Sequence, residues 1–286
     1  MKPAAFRYHA PTTLEEAVAT LAEVAPLDGR VLAGGQSLVP IMAFRLARPT
    51  HLMDINGIAA LRRLTANSGQ LAIGACVRHA DFHMPVTDGP LGMLLSKVVR
   101  HIGHYPIRSR GTFCGSLAHA DPASEWCLVA VTLGAELIAR STRGARSRTA
   151  QEFLTGSMTT ALADDELLTE VRLPLLRSGT RFGFCEYARR AGDFALAMTL
   201  VTYRIEDGVI LDPRVGVGGA EPHARRIPQA EAVLAGAPPT AEVFEHAAKI
   251  AADANDPLDD ARTSADYRRD LVHAMTRRAL DQAHRQ

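Results

Sequence analysis

Apolar and polar positions change their period several times along the chain, and each change marks an element. Residues 14–21, Leu-Glu-Glu-Ala-Val-Ala-Thr-Leu, put Leu14, Ala17, Val18 and Leu21 on one stripe of a helix. Thr12-Thr13 supply an N-cap before it, and Glu16 stands at capping-box distance. A short apolar run at 30–33 predicts a buried strand, and it breaks at Gly34-Gly35. Residues 52–55 and 71–75 read as further strands, with Asn56-Gly57 as a turn signal and 79–82 opening a helical stretch. Residues 136–139 make another strand candidate. The basic run 142–148 reads as a solvated hairpin tip. Residues 167–173 read as an edge strand, because the run finishes at Pro174.

Beyond residue 180 the pattern turns antiparallel. Residues 182–184, 195–205 and 209–217 are the predicted strands, with Asp207-Gly208 as a hairpin turn. After Pro228 the chain becomes helical. The alanine-rich stretch 240–254 and the run from Tyr267 are both amphipathic. In the second, Tyr267, Leu271 and Met275 form the inward stripe, and Arg268, Arg269, Arg277 and Arg278 the wet face.

Two bends poor in side chains carry the candidate chemistry. The first is Ala33-Gly34-Gly35-Gln36-Ser37-Leu38. Adjacent glycines let consecutive peptide N–H groups turn toward one point, a nest suited to phosphate or pyrophosphate. Three or four charge-assisted hydrogen bonds at about 1.5–3 kcal/mol each would anchor a nucleotide cofactor. The second bend lies within 107–126, where Gly111, Thr112, Cys114, Gly115, Ser116 and His119 cluster. Asp121-Pro122 then reads as an N-cap with proline at the first helical position. Taken alone, each bend is equally an ordinary glycine-rich connection.

Composition narrows the field. A chain of 286 residues with 47% hydrophobic and 22% charged residues is ordinary globular protein of two or three subdomains. A net charge of +1 gives no excess of Lys and Arg to neutralise nucleic-acid phosphates. No apolar run approaches the roughly 20 residues that span a bilayer, and the N-terminus has no signal-like core, so a cytoplasmic location is expected. The four cysteines, at 76, 114, 127 and 185, include no Cys-x-x-Cys pair. That argues against an iron–sulfur cluster or structural zinc on this chain. Cys76, Cys127 and Cys185 are expected as buried apolar residues. His79 and His83 are four apart, as zinc ligands on a helix are, but no third ligand follows at a matching spacing, and His101 with His104 is no better.

The two bends, in this order and about 75 residues apart, resemble those of the FAD-binding medium subunit of the molybdenum hydroxylases, the carbon monoxide dehydrogenase and xanthine dehydrogenase type. The resemblance rests on residues 33–38 and on Ile-Arg-Ser-Arg-Gly-Thr-Phe-Cys-Gly-Ser-Leu-Ala-His-Ala-Asp-Pro at 107–122. It continues in Tyr187-Ala-Arg-Arg-Ala-Gly-Asp-Phe-Ala195, Val217-Gly-Gly-Ala220, Asp259-Asp-Ala-Arg262 and Tyr267-Arg-Arg269, and so spans nearly the whole chain. It implies an α+β fold of the vanillyl-alcohol-oxidase (PCMH) type. Two FAD-binding α/β subdomains, 1–58 and 59–176, would precede a C-terminal domain of antiparallel sheet and helices, 177–286.

The resemblance also implies the site. Ala33, Gly34, Gly35, Gln36, Ser37 and Leu38 would wrap the FAD pyrophosphate, with Thr112, Cys114, Gly115 and Ser116 as the second loop and His119 beside it. Ile102 would offer backbone contacts, Asp121 and Glu125 the acidic positions, Leu168 a packing surface, and Phe194 an aromatic beside the flavin ring. The usual second loop reads Thr-x-Gly-Gly-Asn, so Cys114 and Ser116 are substitutions, and a Cys114 thiol facing the ring would tune its potential. Glu186 stands where lysine is common. The implied role is electron transfer from the clusters of a small [2Fe–2S] subunit, fed by a large molybdenum-cofactor subunit, through FAD to NAD, a quinone or oxygen. Dimerisation of that complex is left open. The rivals are a self-contained flavin oxidase or reductase of this fold and a flavin-free scaffold subunit.

Overall fold

The structure, a computed structural model, describes residues 2–261 and 263–286. Met1, and Arg262 of the resemblance, lie outside them. The first strands are short and parallel: β1 (Arg7–His9), β2 (Gly29–Leu32) and β3 (His51–Asp54), in the order β1-β3-β2. Parallel neighbours need crossovers, and α1 (Leu14–Val24) and α2 (Leu38–Ala43) supply them. Helix α1 forms as its pattern predicts. Thr13 Oγ1 accepts from Glu16 N–H at 3.1 Å, and Ala17, Val18, Leu21 and Val24 are buried.

The next elements are β4 (Leu64–Asn67), β5 (Gln70–Gly74), α3 (Pro90–Val98), α4 (Tyr105–Arg108), α5 (Phe113–His119) and α6 (Glu125–Leu133). They are followed by β6 (Glu136–Ser141), β7 (Gly144–Thr149), α7 (Ala150–Phe153), β8 (Leu154–Gly156), β9 (Thr159–Thr160) and β10 (Leu167–Pro174). The five-stranded sheet runs β4-β5-β10-β6-β7 and is antiparallel. Helix α6 is buried from Trp126 to Leu133, so it has no wet face. The Trp126 ring packs on Phe113 at 4.7 Å and Phe82 at 5.3 Å.

The remaining chain is an antiparallel sheet in the order β11-β12-β13-β14: β11 (Arg181–Tyr187), β12 (Ala197–Glu206), β13 (Val209–Gly218) and β14 (Arg225–Arg226). Helices α8 (Pro228–Leu234), α9 (Ala241–Asp253) and α10 (Ala265–His284) complete it, and Val201, Tyr203, Phe244, Val272 and Leu280 share the core there. Asp207 and Gly208 both take positive φ, 51° and 77°, the two-residue turn that matches the twist of a hairpin. The architecture is the expected α+β one.

Several expectations are corrected. Strand β10 is central, hydrogen-bonded to β5 and β6, because Pro174 occupies only its last rung opposite Gln70. The tip of the 142–148 run is just Thr142-Arg143, and residues from Gly144 pair with β6. Helix α6 starts four residues after Asp121. Asp121 Oδ1 takes the Ala123 N–H at 2.8 Å in a local turn, which leaves Ser124 to cap by accepting from Cys127 N–H. Thr112–Ser116 is the first turn of helix α5, not a loop, with Thr112 as its cap. Cys185 is only half-buried, and Tyr267 is exposed, edge-on to Tyr187. Arg268, expected on the wet face, is buried and donates to the carbonyls of Leu196 and Gly219, each at 2.9 Å.

Candidate functional site

A cavity of about 490 Å³ opens between the parallel sheet and the five-stranded sheet. Its walls come from the segment after β2, from the start of α5, and from the chain between β9 and β10. The segment 33–37 leaves β2 without continuing the ladder. Among the described residues, the N–H groups of Gly34, Gly35, Gln36 and Ser37 have no intramolecular acceptor. Gly35 sits at φ +72°, the left-handed region. These four residues line the cavity, an arrangement suited to a pyrophosphate.

The two bends meet backbone to backbone. A Cβ on Gly34 would stand 2.4 Å from the carbonyl oxygen of Arg110 and 2.6 Å from Gly111 Cα, so only glycine fits. Polar links fix that approach. Asn56 Nδ2 donates to Ala33 O at 2.7 Å, Arg78 Nη2 donates to Asn56 Oδ1 at 2.5 Å, and Arg78 Nη1 donates to Arg110 O. The chain Ala33–Asn56–Arg78–Arg110 thereby ties the first bend to the second. Sequence reasoning missed Asn56 and Arg78. The Asn-Gly turn signal was the one trace of the first, since a side chain that bridges segments 23 residues apart has no local pattern.

Beneath the bends lies His79. Its backbone N–H donates to Gly111 O at 2.9 Å, and its ring Nδ1 accepts the Trp126 indole N–H at 2.9 Å. Because indole is a donor only, Nδ1 is unprotonated and the neutral ring carries its hydrogen on Nε2. Burial, reinforced by Arg78 and Arg108, drives the His79 pKa down to about 3, so the ring is neutral across the physiological range. No group of three or more metal-ligating side chains occurs among the described residues.

The cavity brings together Ala33, Gly34, Gly35, Gln36, Ser37, Leu38, Thr112, Cys114, Gly115, Ser116, His119 and Leu168. It does not include Ile102, Asp121, Glu125 or Phe194. Ile102 is buried and its carbonyl accepts from Arg108. Glu125 heads α6 beside Glu186; burial first, then that neighbouring charge, pushes its pKa up to about 8. Phe194 is 75% exposed, on a separate open cleft with Arg189, Gly192 and Asp193. The Cys114 thiol lies 3.5 Å from the Ile73 carbonyl within the core, and burial pushes its pKa upward. Thr112 Oγ1 accepts the Gly115 N–H at 3.0 Å, which holds the α5 terminus in shape.

The geometry fits a dinucleotide flavin: free amides and backbone that only glycine can provide, in a space of ligand size. Comparison with known proteins agrees. Residues 4–176 match the family described as FAD binding domain in molybdopterin dehydrogenase, and residues 182–283 match the CO dehydrogenase flavoprotein C-terminal domain. The chain is 38% identical to the nicotine 6-hydroxylase medium subunit of Paenarthrobacter nicotinovorans, over 99% of each chain. Among solved structures, it superposes on a chain of carbon monoxide dehydrogenase from Hydrogenophaga pseudoflava with TM-score 0.95 and 34% identity, covering 100% of this chain and 99% of that one. A chain of quinoline 2-oxidoreductase from Pseudomonas putida 86 gives TM-score 0.93 and 36% identity at the same coverage.

Proposed function

The chain belongs to the FAD-binding medium subunits of the molybdenum hydroxylases, and we propose that it holds FAD in the cavity between its first two sheets and passes electrons outward from a partner. The free amides of 34–37 would hold the pyrophosphate, with the α5 terminus from Thr112 to Ser116 on the other side. Neutral His79 presents Nε2–H below the second bend, and Leu168 supplies apolar wall. Bound FAD would accept electrons one at a time and release them in pairs. The residues of this chain set how tightly it is held and how dry its surroundings are.

The proposed partners are a small subunit with [2Fe–2S] clusters and a large subunit with the molybdenum cofactor, with NAD, a quinone or oxygen as final acceptor. The division of the chain at 58/59 and 176/177, the remaining site roles of Ile102, Asp121, Glu125 and Phe194, and a cytoplasmic location belong to the same proposal. No helix among the described residues is long and apolar enough to cross a membrane. A self-contained oxidase or a flavin-free scaffold is disfavoured, because the relative matched end to end is named as a medium subunit.

The observation that carries the proposal is a row of amides without an acceptor among the described residues, in a segment lining a cavity whose second wall is held by a glycine-only contact. The test is isolation of the native complex, with mass spectrometry of its chains and extraction of its flavin. FAD together with a cluster subunit and a molybdenum subunit is the expected result. A colourless chain that purifies alone from its native source would overturn it.

A further inference from the structure

The β6–β7 hairpin reaches across to the cavity wall. Arg146 Nε donates to Glu166 Oε1 and Nη2 to Oε2, both at 2.5 Å, and Nη2 also donates to Ala161 O at 2.6 Å. The same carboxylate accepts the Ala163 N–H at 2.8 Å, while the Glu166 N–H returns to Ala163 O at 3.0 Å. A second fork, Arg143 on Asp165, grips the adjoining residue. The segment between β9 and β10 has no regular structure of its own, yet Leu162, Ala163, Asp164 and Glu166 line the cavity. Side chains from the hairpin therefore set the shape of that wall. The two forks differ in depth: the Glu166 side chain is 5% exposed, against 25% for Asp165.

We propose that Arg146 and Glu166 are positioning residues for the flavin: their fork, closed on the buried Glu166 carboxylate, holds residues 161–166 in the form against which the cofactor lies. This rests on the cavity being the FAD site. A planar guanidinium matches a carboxylate through two parallel hydrogen bonds, which fixes direction as well as distance. Removing Arg146 strands the Glu166 carboxylate in a poorly solvated place, and the segment must then move toward water; removing the Glu166 charge frees the segment from the hairpin. Because that segment is cavity wall, the movement opens the site. Arg143 with Asp165, nearer to solvent, contributes less.

The test uses the native complex and follows the rise of free-flavin fluorescence after dilution. Arg146→Gln and Glu166→Gln should each release flavin roughly tenfold faster or more than the unaltered complex. Thr149→Ala is the control for lost stability, since it removes the cap of α7 on the same hairpin without touching the wall. It should release flavin within about twofold of the unaltered rate. The reversed pair, Arg146→Glu with Glu166→Arg, should recover part of the retention, which ties the loss to the fork rather than to either side chain alone. If the single variants fail to assemble, Glu166→Asp, which keeps the charge but shortens the fork, provides the measurement. Release no faster than in Thr149→Ala, from a complex that holds FAD normally, would overturn the positioning role and leave the cofactor assignment standing. An unaltered complex without flavin would overturn the assignment itself.

Discussion

Trp126 donates its indole N–H to Nδ1 of His79 across 2.9 Å, and this one bond ties the most deeply buried helix to the floor of the cavity. The bond exists only while Nδ1 is bare. His79 has its folded pKa lowered to about 3, whereas an unfolded histidine titrates near ~6.5. The unfolded chain thus binds more protons throughout that window. Stability from this site is fully present above about pH 6.5 and is lost as pH falls toward about 3, by roughly 1.4 kcal/mol per unit within the window. Urea unfolding followed by fluorescence of Trp126, the one tryptophan in the sequence, measures it directly. In His79→Leu the acid slope should flatten, while stability near neutrality falls by about 1–3 kcal/mol for the orphaned indole N–H. An unchanged slope in that variant would refute the assignment.

Gly34 makes the sharper test of the cavity. Its missing Cβ lets the first bend lie against Arg110 and Gly111, and even alanine would drive the two bends apart. Gly34→Ala should therefore lose most of its flavin, with stability lowered by about 1–3 kcal/mol for overpacking at one contact. Gly35→Val should also lose flavin, because valine is strained at φ +72° and its side chain would press on Leu32 and Val39. Extracted flavin per complex is the measurement. Full occupancy in both variants would show that these residues do not hold the cofactor.

How far the sequence discloses this site depends on the range of each interaction. The helix at 14–21 and the Asp207-Gly208 hairpin are local events, dictated by a cap, a stripe and a turn, and they form where the pattern puts them. The two glycine bends are legible as bends, and the resemblance pairs them. Their contact through Gly34 and Arg110 depends on tertiary packing that no periodicity encodes. Arg146 and Arg268 were misjudged for one reason: a guanidinium on a polar stretch reads as solvated until a distant carboxylate or carbonyl is known to meet it. The Pro174 signal was real but local. It limits one rung and says nothing about which strands flank the rest of β10. Cys114, suspected of facing the flavin, instead directs its thiol at Ile73 O, since a residue on the first turn of a helix has one side turned to the core.

Glu125 predicts a pH dependence of opposite sign to that of His79. Its carboxyl is largely buried at the start of α6, and burial, the Glu186 charge and then Asp121 raise its pKa from the ordinary carboxylate range to about 8. Glu186 itself has one oxygen, Oε2, buried without a partner among the described residues, and the other 3.4 Å from His101 Nδ1, so little neutralises the pair. With the folded pKa above the unfolded one, the stability is present below about pH 4.5 and is lost as pH rises through about 8. Glutamine keeps the shape of the protonated acid and cannot ionise. Glu125→Gln should therefore match the unaltered protein near pH 4.5 and gain on it by roughly 1.4 kcal/mol per pH unit as pH rises toward 8, to about 4–5 kcal/mol above pH 8. Paired thermal melts at the two pH values decide the matter. Equal melting temperatures at high pH would mean that water or a cation already compensates the Glu125 charge, and the buried-acid account of this seam would be wrong.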